Sequence, residues 1–479
     1  MKLIIAYDSK FGIGKNGTIP WNIPKDIKLF KSLTTNSKQS DNTKTSQNKS
    51  ESKPLIVMGY NTWKSIQKKP LPDRINIIIS KSHNENNIYP ETLWFESPEL
   101  FVKNITPYKS TNAPIWIIGG KSIYDWFLNN NLISEIYISK ILDDYKCDVS
   151  LDSNKFKNIY KNFNPVNFPT DHGTFILEHL IYKNNSEIAY QNLLTEILKN
   201  GSQRNDRTET GTISLFGKHL DFDIQNSIPL LTTKYVNWYA VILELLWFLR
   251  GDTNSKLLEA DNVNIWKGNT SREFLDKSGF NERIEGDIGP MYGFQWRNFG
   301  AEYKGCNIDY NKGNNMGINQ LEEVIYLLRT NPYSRRIIMT TYNVKQRHEG
   351  VLYPCHGLVV QFYCEEKNNK KWLSCHMYQR SADAFLGLPF NIASYAILTY
   401  IIAQKVNMLP DRLVISMGDV HIYNNLIDQC NTQITRQPFP FPQLQIKDIR
   451  DKDWTELKLD DFEVFGYQHH PLIKGNMSI

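Results

Sequence analysis

Residues 372–406 read WLSCHMYQRSADAFLGLPFNIASYAILTYIIAQKV. WLSCHMYQRS has the composition of a strand, and NIASYAILTYIIAQKV (Asn391–Val406) that of a long apolar helix. A second such helix is predicted over WYAVILELLWFLRG (Trp238–Gly251), with strands at RRIIMTTYN and HGLVVQFYCE. Long helices separated by strands without strict alternation indicate an α+β architecture for this half of the chain.

Just upstream, VLYPCHGLVV (residues 351–360) sets Cys355 beside His356 in an apolar run. Such a cysteine is a buried small residue, a metal ligand, half of a disulfide or a nucleophile. The chain has six cysteines in 479 residues, none in a C-x-x-C pair and none spaced with histidines as a zinc set. That usage points to free thiols in a reducing, cytoplasmic compartment and removes the metal and disulfide readings. Adjacent residues of a strand face opposite ways, so His356 is not expected to act as a base toward Cys355 in a cysteine hydrolase.

A chain of 479 residues is too long for one core and implies two to four domains at about 150 residues each. No run of 18 uncharged apolar residues occurs, so no membrane span is expected. The opening MKLIIAYDSKFGIG reads as a first strand, not a signal peptide. A net charge of +5 allows anionic substrates without arguing for nucleic acid.

The first half differs in texture. PLIVMG, RINIIIS and APIWIIGG are Ile/Val-rich runs suited to strands buried on both faces of a mostly parallel sheet. Between them lie PKDIKLFKSL, YNTWKSI and KSIYDWFLNN, helix-like pieces that complete an α/β alternation. Residues 34–53 hold no large apolar side chain and read as a low-complexity loop insert. TFILEHLIYKNN is expected as a last edge strand, and SEIAYQNLLTEILKNG as a new helix capped by Ser186 and Gly201. The domains are therefore placed at 1–184 and 185–479. Asp26 falls on one helical face with Leu29 and Phe30, where apolar neighbours raise a carboxyl pKa. Gly119 and Gly120 sit between a strand and a helix, where amides can approach a phosphate. Arg74 is the only arginine among the first 203 residues, otherwise served by lysine, which suits a bidentate anionic partner.

GIGKNGTIPW, WNIPKDIKLF, IVMGYNTWKSI, PLPDRINIIIS and IIGGKSIY, in that order, make residues 1–182 resemble dihydrofolate reductase. The resemblance implies an NADPH-dependent reductase. Asp26 would be its acid, bonded to Ser139 in place of the usual threonine. Phe30 and Arg74 would hold folate and its α-carboxylate, and Trp21 would border the pterin. Ile13, Gly14 and Ile19 would form a loop over nicotinamide, and Gly59, Thr62, Ser80, Lys81, Gly119, Gly120 and Tyr124 would contact the cofactor. Tyr60 stands where the family usually has an arginine near the NADPH phosphates, leaving Lys81 to meet the 2′-phosphate.

From residue 187 onward, NDRTETGTISLFG, LELLWFLRGDTN, YPCHG, YQRSADAFLGLPFNIASYA, GDVHIYNN and GYQHHPLIKGNMSI resemble thymidylate synthase. A reductase followed by a synthase is similar to the bifunctional family of protozoa and plants. The resemblance implies conversion of dUMP and 5,10-methylenetetrahydrofolate to dTMP and dihydrofolate, recycled with NADPH and without a metal. Cys355 would add to C6 of the uracil ring. Glu244 would move protons through water, and Tyr292 would help remove the C5 proton. Asn391 would read the base, whose N3–O4 edge matches an amide. Arg207, Arg380 and Ser381 would hold the phosphate, with Arg335 and Arg336 lent by the partner of a homodimer formed through the synthase domain. Arg380 would also lower the Cys355 pKa. His421 and Tyr423 would bind the sugar, Asp383 the nucleotide and pterin, and Trp266 folate, with NMSI closing over both ligands. Some such synthases bind RNA, but no basic, aromatic-interleaved patch supports that here. Glu209, Tyr235, Tyr342 and His469 replace a usual glycine, arginine, tryptophan and proline.

Overall fold

The computed structural model describes residues 1–35, 53–105, 113–166, 169–205, 209–310 and 317–476. It divides into two compact units, Met1–Asn184 and Asn185–Ile479. Of the low-complexity insert, only residues 34, 35 and 53 are among those described.

The first unit is built on a nine-stranded sheet, ordered β10-β11-β7-β1-β6-β3-β4-β5 with β9 also on β11. Its strands are β1 (Lys2–Tyr7), β3 (Leu55–Gly59), β4 (Ile75–Ile79), β5 (Leu93–Phe95), β6 (Ile115–Gly119), β7 (Glu135–Ile141), β9 (Phe163–Pro165), β10 (Thr170–Asp171) and β11 (Phe175–Tyr182); β2 (Gly12–Gly14) pairs β8 (Val149–Ser150) apart from it. The run from β7 through β1, β6, β3 and β4 to β5 is parallel. LIVMG and INIII are almost wholly buried, as a sheet covered on both faces requires. The covering helices are α1 (Pro24–Thr34), α2 (Tyr60–Ser65), α3 (Pro98–Asn104), α4 (Lys121–Asn129) and α5 (Ser153–Asn162). The expected last edge strand is not an edge: β9 and β10 each pair with one end of β11.

The second unit holds a six-stranded sheet, β12-β13-β17-β16-β15-β14, with only β16 and β17 parallel. These are β12 (Ser202–Arg204), β13 (Thr212–Asp223), β14 (Ile338–Met339), β15 (Val359–Lys367), β16 (Lys370–Asp383) and β17 (Leu409–Tyr423). The main helices are α6 (Asn185–Asn200), α7 (Trp238–Arg250), α8 (Gln320–Thr330) and α9 (Gly387–Lys405). Helix α6 starts at Asn185, so Ser186 lies in its first turn and does not cap it. Helix α7 is capped by the Asn237 side chain and stopped by Gly251 at φ 81°, a conformation that costs glycine little. Helix α9 is apolar on every side and almost entirely buried, as a central core helix must be. Among the described residues no helix is long and apolar enough to cross a membrane.

One polar cluster pins β1, β7 and β11 together. Glu135 lies 3.0 Å from Lys2 Nζ and 3.2 Å from His179 Nε2, and accepts from the Tyr137 hydroxyl at 3.2 Å. Burial would raise this carboxyl, but the His179 bond and the Lys2 charge bring it down to about 2. A carboxyl depressed by folding stabilises above its unfolded pKa and loses that contribution as pH falls toward its folded value. Glu135→Gln is therefore expected to cost the first unit on the order of 1 kcal/mol at pH 7 and almost nothing near pH 2. Calorimetric melting of the full chain as a function of pH measures this; an equal cost at both extremes rules the account out.

Candidate active sites

In the second unit, Cys355 lies in an irregular segment before β15, not in the strand that its sequence context implies. Its amide donates to the Tyr292 hydroxyl at 3.2 Å, and that oxygen lies 3.4 Å from Sγ. The Arg380 amide donates to the Cys355 carbonyl at 2.9 Å. The Arg380 guanidinium donates to the carbonyls of Pro354 and Tyr353 at 2.8 and 3.0 Å. Burial raises the Cys355 thiol; the Tyr292 bond and the Arg380 charge oppose this without overcoming it. The arginine thus acts in the expected direction, but the net shift is upward. The unliganded group is a thiol.

Tyr292 has φ 39° and ψ −99°, a sparsely populated backbone conformation of the kind kept at functional sites. Its ring stacks on His356 at 4.4 Å. The His356 Nδ1 is 3.0 Å from the Tyr395 hydroxyl, and burial lowers its pKa to about 3. His356 is thus a neutral packing residue. The hydrolase reading fails for this reason and not from strand alternation.

Glu244, on α7, accepts from Trp266 Nε1 at 2.9 Å, and burial raises its carboxyl to about 7 against that one bond. Trp266, expected from the resemblance to line the folate site, donates its N–H to this carboxylate. Asn391, at the start of the second turn of α9, accepts at Oδ1 from Gln379 Nε2 at 3.0 Å, and the same Gln379 amide donates to the Ser381 carbonyl at 3.1 Å. Sequence reasoning passed over Gln379, although it stands next to Arg380 in YQRS.

Asp383 and His421 are register partners on the parallel strands β16 and β17. Asp383 Oδ1 accepts from the amides of Phe385 and Leu386 at 2.9 and 3.0 Å. Burial raises its pKa against those bonds and the nearby His421 and Lys234. The His421 ring meets Tyr423 edge-on at 5.2 Å. Arg380, Ser381, Asp383, His421 and Tyr423 thus gather at the carboxyl ends of two parallel strands, the usual place for a ligand in such a sheet. Arg335 and Arg336 are not on a strand. They occupy an exposed turn before β14, and neither guanidinium has a hydrogen bond or ion pair among the described residues. Arg207 and the last three residues of NMSI lie outside the described residues.

In the first unit, Asp26 Oδ1 accepts from Ser139 Oγ at 2.6 Å, and burial raises the carboxyl against that bond. Trp21 is buried in a cluster with Ile141 and Phe175, and Ile19 is exposed. Arg74 is buried, with Nη1 donating to Thr34 Oγ1 at 2.8 Å, Nε to the Pro72 carbonyl at 2.9 Å, and Cζ 5.8 Å from the Phe30 ring. Thr34, assigned from sequence to the insert, belongs to α1. A desolvated guanidinium held by neutral oxygens, with no carboxylate partner among the described residues, suits a carboxylate ligand.

Gly59, Ser80 and Gly119–Gly120 mark the carboxyl ends of the neighbouring parallel strands β3, β4 and β6. No side chain caps α4, whose N-cap is Gly120. A Cβ on Gly119, at φ 112°, would lie 2.8 Å from the Tyr124 ring, and one on Gly120 would lie 3.4 Å from Thr62 Oγ1. The uncapped helix start and the close backbone fit a dinucleotide diphosphate. Tyr124 donates its hydroxyl to the carbonyls of Ile4 and Ile118, so it braces the crevice from behind.

The dihydrofolate reductase family profile matches residues 1–173, and the thymidylate synthase profile residues 188–479. The chain is 39% identical over 490 residues to a bifunctional dihydrofolate reductase-thymidylate synthase of Paramecium tetraurelia, covering all of this chain and 98% of that protein. It is 36% identical to the Zea mays protein of the same description (100% and 96% covered) and 34% to that of Plasmodium berghei (98% and 94%). The chain belongs to the bifunctional dihydrofolate reductase–thymidylate synthase family.

The synthase unit depends on a close approach behind its cysteine. Gly357 has φ 67°, and a Cβ there would fall 2.2 Å from the Tyr395 hydroxyl that bonds His356. Gly357→Ala is expected to destabilise this unit by about 2–4 kcal/mol through strain and a displaced phenol. Denaturant unfolding followed for each unit checks this; an unchanged synthase transition contradicts it.

Proposed function

We propose that Cys355 is the nucleophile of the synthase and Asp26 the acid of the reductase. The chain converts dUMP and 5,10-methylenetetrahydrofolate to dTMP and dihydrofolate, and reduces dihydrofolate to tetrahydrofolate with NADPH. The observation that carries the synthase assignment is the Tyr292 hydroxyl, which meets both the amide and the sulfur of Cys355. Addition of Sγ to C6 of the ring makes C5 electron-rich enough to attack the one-carbon unit. Tyr292 and Arg380 stabilise the sulfur as its proton leaves, and Tyr292 is placed to help take the C5 proton. Glu244, poised near neutrality, suits proton movement at O4 and C5. Asn391, its oxygen fixed by Gln379, presents a defined donor and acceptor to the N3–O4 edge. Arg207, Arg380 and Ser381 hold the phosphate, His421 and Tyr423 the sugar, Asp383 the pterin, and Trp266 borders folate.

In the reductase, Asp26 with Ser139 orients the pterin and holds a proton at neutral pH more readily than a free aspartate. Arg74 clamps the folate α-carboxylate, Phe30 packs on folate, and Ile13, Gly14 and Ile19 cover the nicotinamide. NADPH supplies the two-electron reduction of the pterin when bound. Gly59, Thr62, Ser80, Lys81, Gly119 and Gly120 hold its phosphates, and Tyr124 supports them.

The protein works as a cytoplasmic homodimer through the synthase unit. The outward sheet face supports this. It exposes Phe216, Val359, Tyr363 and Tyr378, an apolar patch of the kind that marks an interface. Arg335 and Arg336, exposed and without partners among the described residues of their own chain, are suited to a phosphate in the other.

Cys355→Ala is expected to abolish dTMP formation, read as tritium release from 5-tritiated dUMP, and to leave dihydrofolate reduction by the same chain intact. Loss of both activities in a folded variant removes the two-site assignment. A second experiment addresses the shared site. Cys355→Ala and the double variant Arg335→Ala with Arg336→Ala are each expected to be nearly inactive as synthases. Refolded together, they should recover up to about a quarter of wild-type activity, because half of randomly paired dimers hold one intact site. Mixtures that stay at the parental level while a refolded wild type recovers assign the arginines to their own chain.

A further inference from the structure

Tyr292 keeps its unfavourable backbone at the point where its hydroxyl meets the amide and the sulfur of Cys355. Such a conformation persists only where its surroundings over-determine it. Three amide side chains with no part in the reaction supply that restraint. Gln295, on the short helix Gly293–Asn298, donates from Nε2 to the Pro290 carbonyl at 2.8 Å and to Gln346 Oε1 at 3.1 Å. Asn343 donates from Nδ2 to the same Gln346 oxygen at 2.9 Å and to Gln295 Oε1 at 3.4 Å. Gln346 donates in turn to the Ala301 carbonyl at 2.9 Å. Gln295 and Gln346 are buried, and Asn343 is half-buried.

The network ties two stretches of chain together. Residues 290–301 carry Tyr292, and residues 343–346 open the turns that lead into Cys355. The stretches also meet through the Val351 amide, which donates to the Ile288 carbonyl at 3.0 Å, and a Cβ on Gly350 would fall 2.6 Å from Met291. Closer to the sulfur, direct packing is incomplete. A cavity of about 10 Å³, roughly the room one water needs, lies among Pro290, Gln295, Asn343, Gln346 and Pro354. Hydrogen bonds therefore set the spacing there more than apolar contact does. Gln346 Oε1 is their centre, since it accepts from two amides at once. Without it, each of those donors loses a partner inside the protein.

Resting on the reading of Cys355 as the nucleophile, we propose that Gln346 and Gln295 are positioning residues of the synthase, which hold the Tyr292 hydroxyl against the Cys355 sulfur so that it stabilises the sulfur as the proton leaves. Burial raises the Cys355 thiol, and the Tyr292 bond is the foremost of the contacts that oppose this. A loosened network lets Tyr292 relax toward an ordinary backbone conformation, and its hydroxyl then leaves the sulfur. The amides thus reach the chemistry only through Tyr292, and they bear on the proton of the thiol more than on the affinity for the nucleotide.

The test uses the full chain carrying Gln346→Met or Gln295→Met, which keep the volume and remove the amide. Each is expected to lower synthase kcat about tenfold and to leave the KM for dUMP within about threefold. Each should also raise the pH midpoint of Cys355 alkylation by iodoacetamide, followed by peptide mass spectrometry, by about half a unit or more. Dihydrofolate reduction and the circular dichroism spectrum report folding. Should both methionine variants fail to fold, Asn343→Ala, at the half-buried edge of the network, is expected to show the same signature at about threefold in kcat. A folded variant that loses kcat with an unmoved alkylation midpoint assigns the amides to packing alone and overturns the proposal, as does an unchanged kcat. Tritium release retained by Cys355→Ala overturns the nucleophile reading and the proposal with it. Its loss in Cys355→Ala, beside an unmoved midpoint in the amide variants, overturns the proposal alone.

Discussion

An irregular segment inside a protein must have its amides and carbonyls met, and the segment around Cys355 meets them with the groups that also surround the sulfur. The Arg380 guanidinium takes the carbonyls of Tyr353 and Pro354, its amide takes that of Cys355, and the Tyr292 hydroxyl takes the Cys355 amide. Leaving the part-buried Pro354 carbonyl or Cys355 amide unpaired costs up to about 1–3 kcal/mol, so the segment has little freedom to move. The Cys355 sulfur is therefore fixed by the same residues that set its electrostatics. This couples stability to chemistry: Arg380 cannot be removed to test its charge alone, because its loss also frees two carbonyls.

The two units reach their sites by a common geometric route. Parallel strands end together, and the chain leaves each end in a loop or helix start. In the reductase unit the ends of β3, β4 and β6 supply Gly59, Ser80 and Gly119. In the synthase unit the single parallel pair, β16 with β17, carries Arg380, Ser381, Asp383, His421 and Tyr423 to one edge. Antiparallel pairing elsewhere in that sheet scatters its strand ends, so the one parallel pair concentrates the polar groups.

The sequence made much of this legible where chemistry and local pattern agree. The apolar runs of the first half announce a parallel sheet because strands covered on both faces have no polar side. Asp26 accepts from Ser139, the position that the motifs set opposite the acid, and Arg74 lies near Phe30. The reading failed where tertiary contacts replace local pattern. RRIIMTTYN is strand-like in composition but contributes only Ile338–Met339 to the sheet. Helix α9 begins four residues before Asn391, because Pro389 falls in its first turn, where the missing amide is not needed. Gln379 went unseen because its part is to hold another side chain, and a polar residue between two others in a strand gives no sign of that.

The departures from the family pattern make physical sense in the structure when taken with their neighbours. Glu209 replaces a usual glycine and keeps its backbone, with φ 59°, a conformation that costs a side chain about 1 kcal/mol and glycine almost nothing. Tyr235 and His469, which replace an arginine and a proline far apart in the chain, lie against each other with ring centroids 4.9 Å apart, beside Tyr467. The segment leading to the C-terminus is thus held to the loop before α7 partly by an aromatic contact. Tyr60 likewise meets His83. In the last two cases a lost cation is matched by a ring that found a second ring. An arginine in such a place can act through its charge or through its flat face, and only the flat face survives its replacement by tyrosine. Where the family needs the charge, it must come from another residue; where it needs only a surface to pack on, the exchange is nearly free. The reductase crevice is the first kind of place, because its ligand is anionic. The Tyr235 contact is the second, because its partner is part of the same chain.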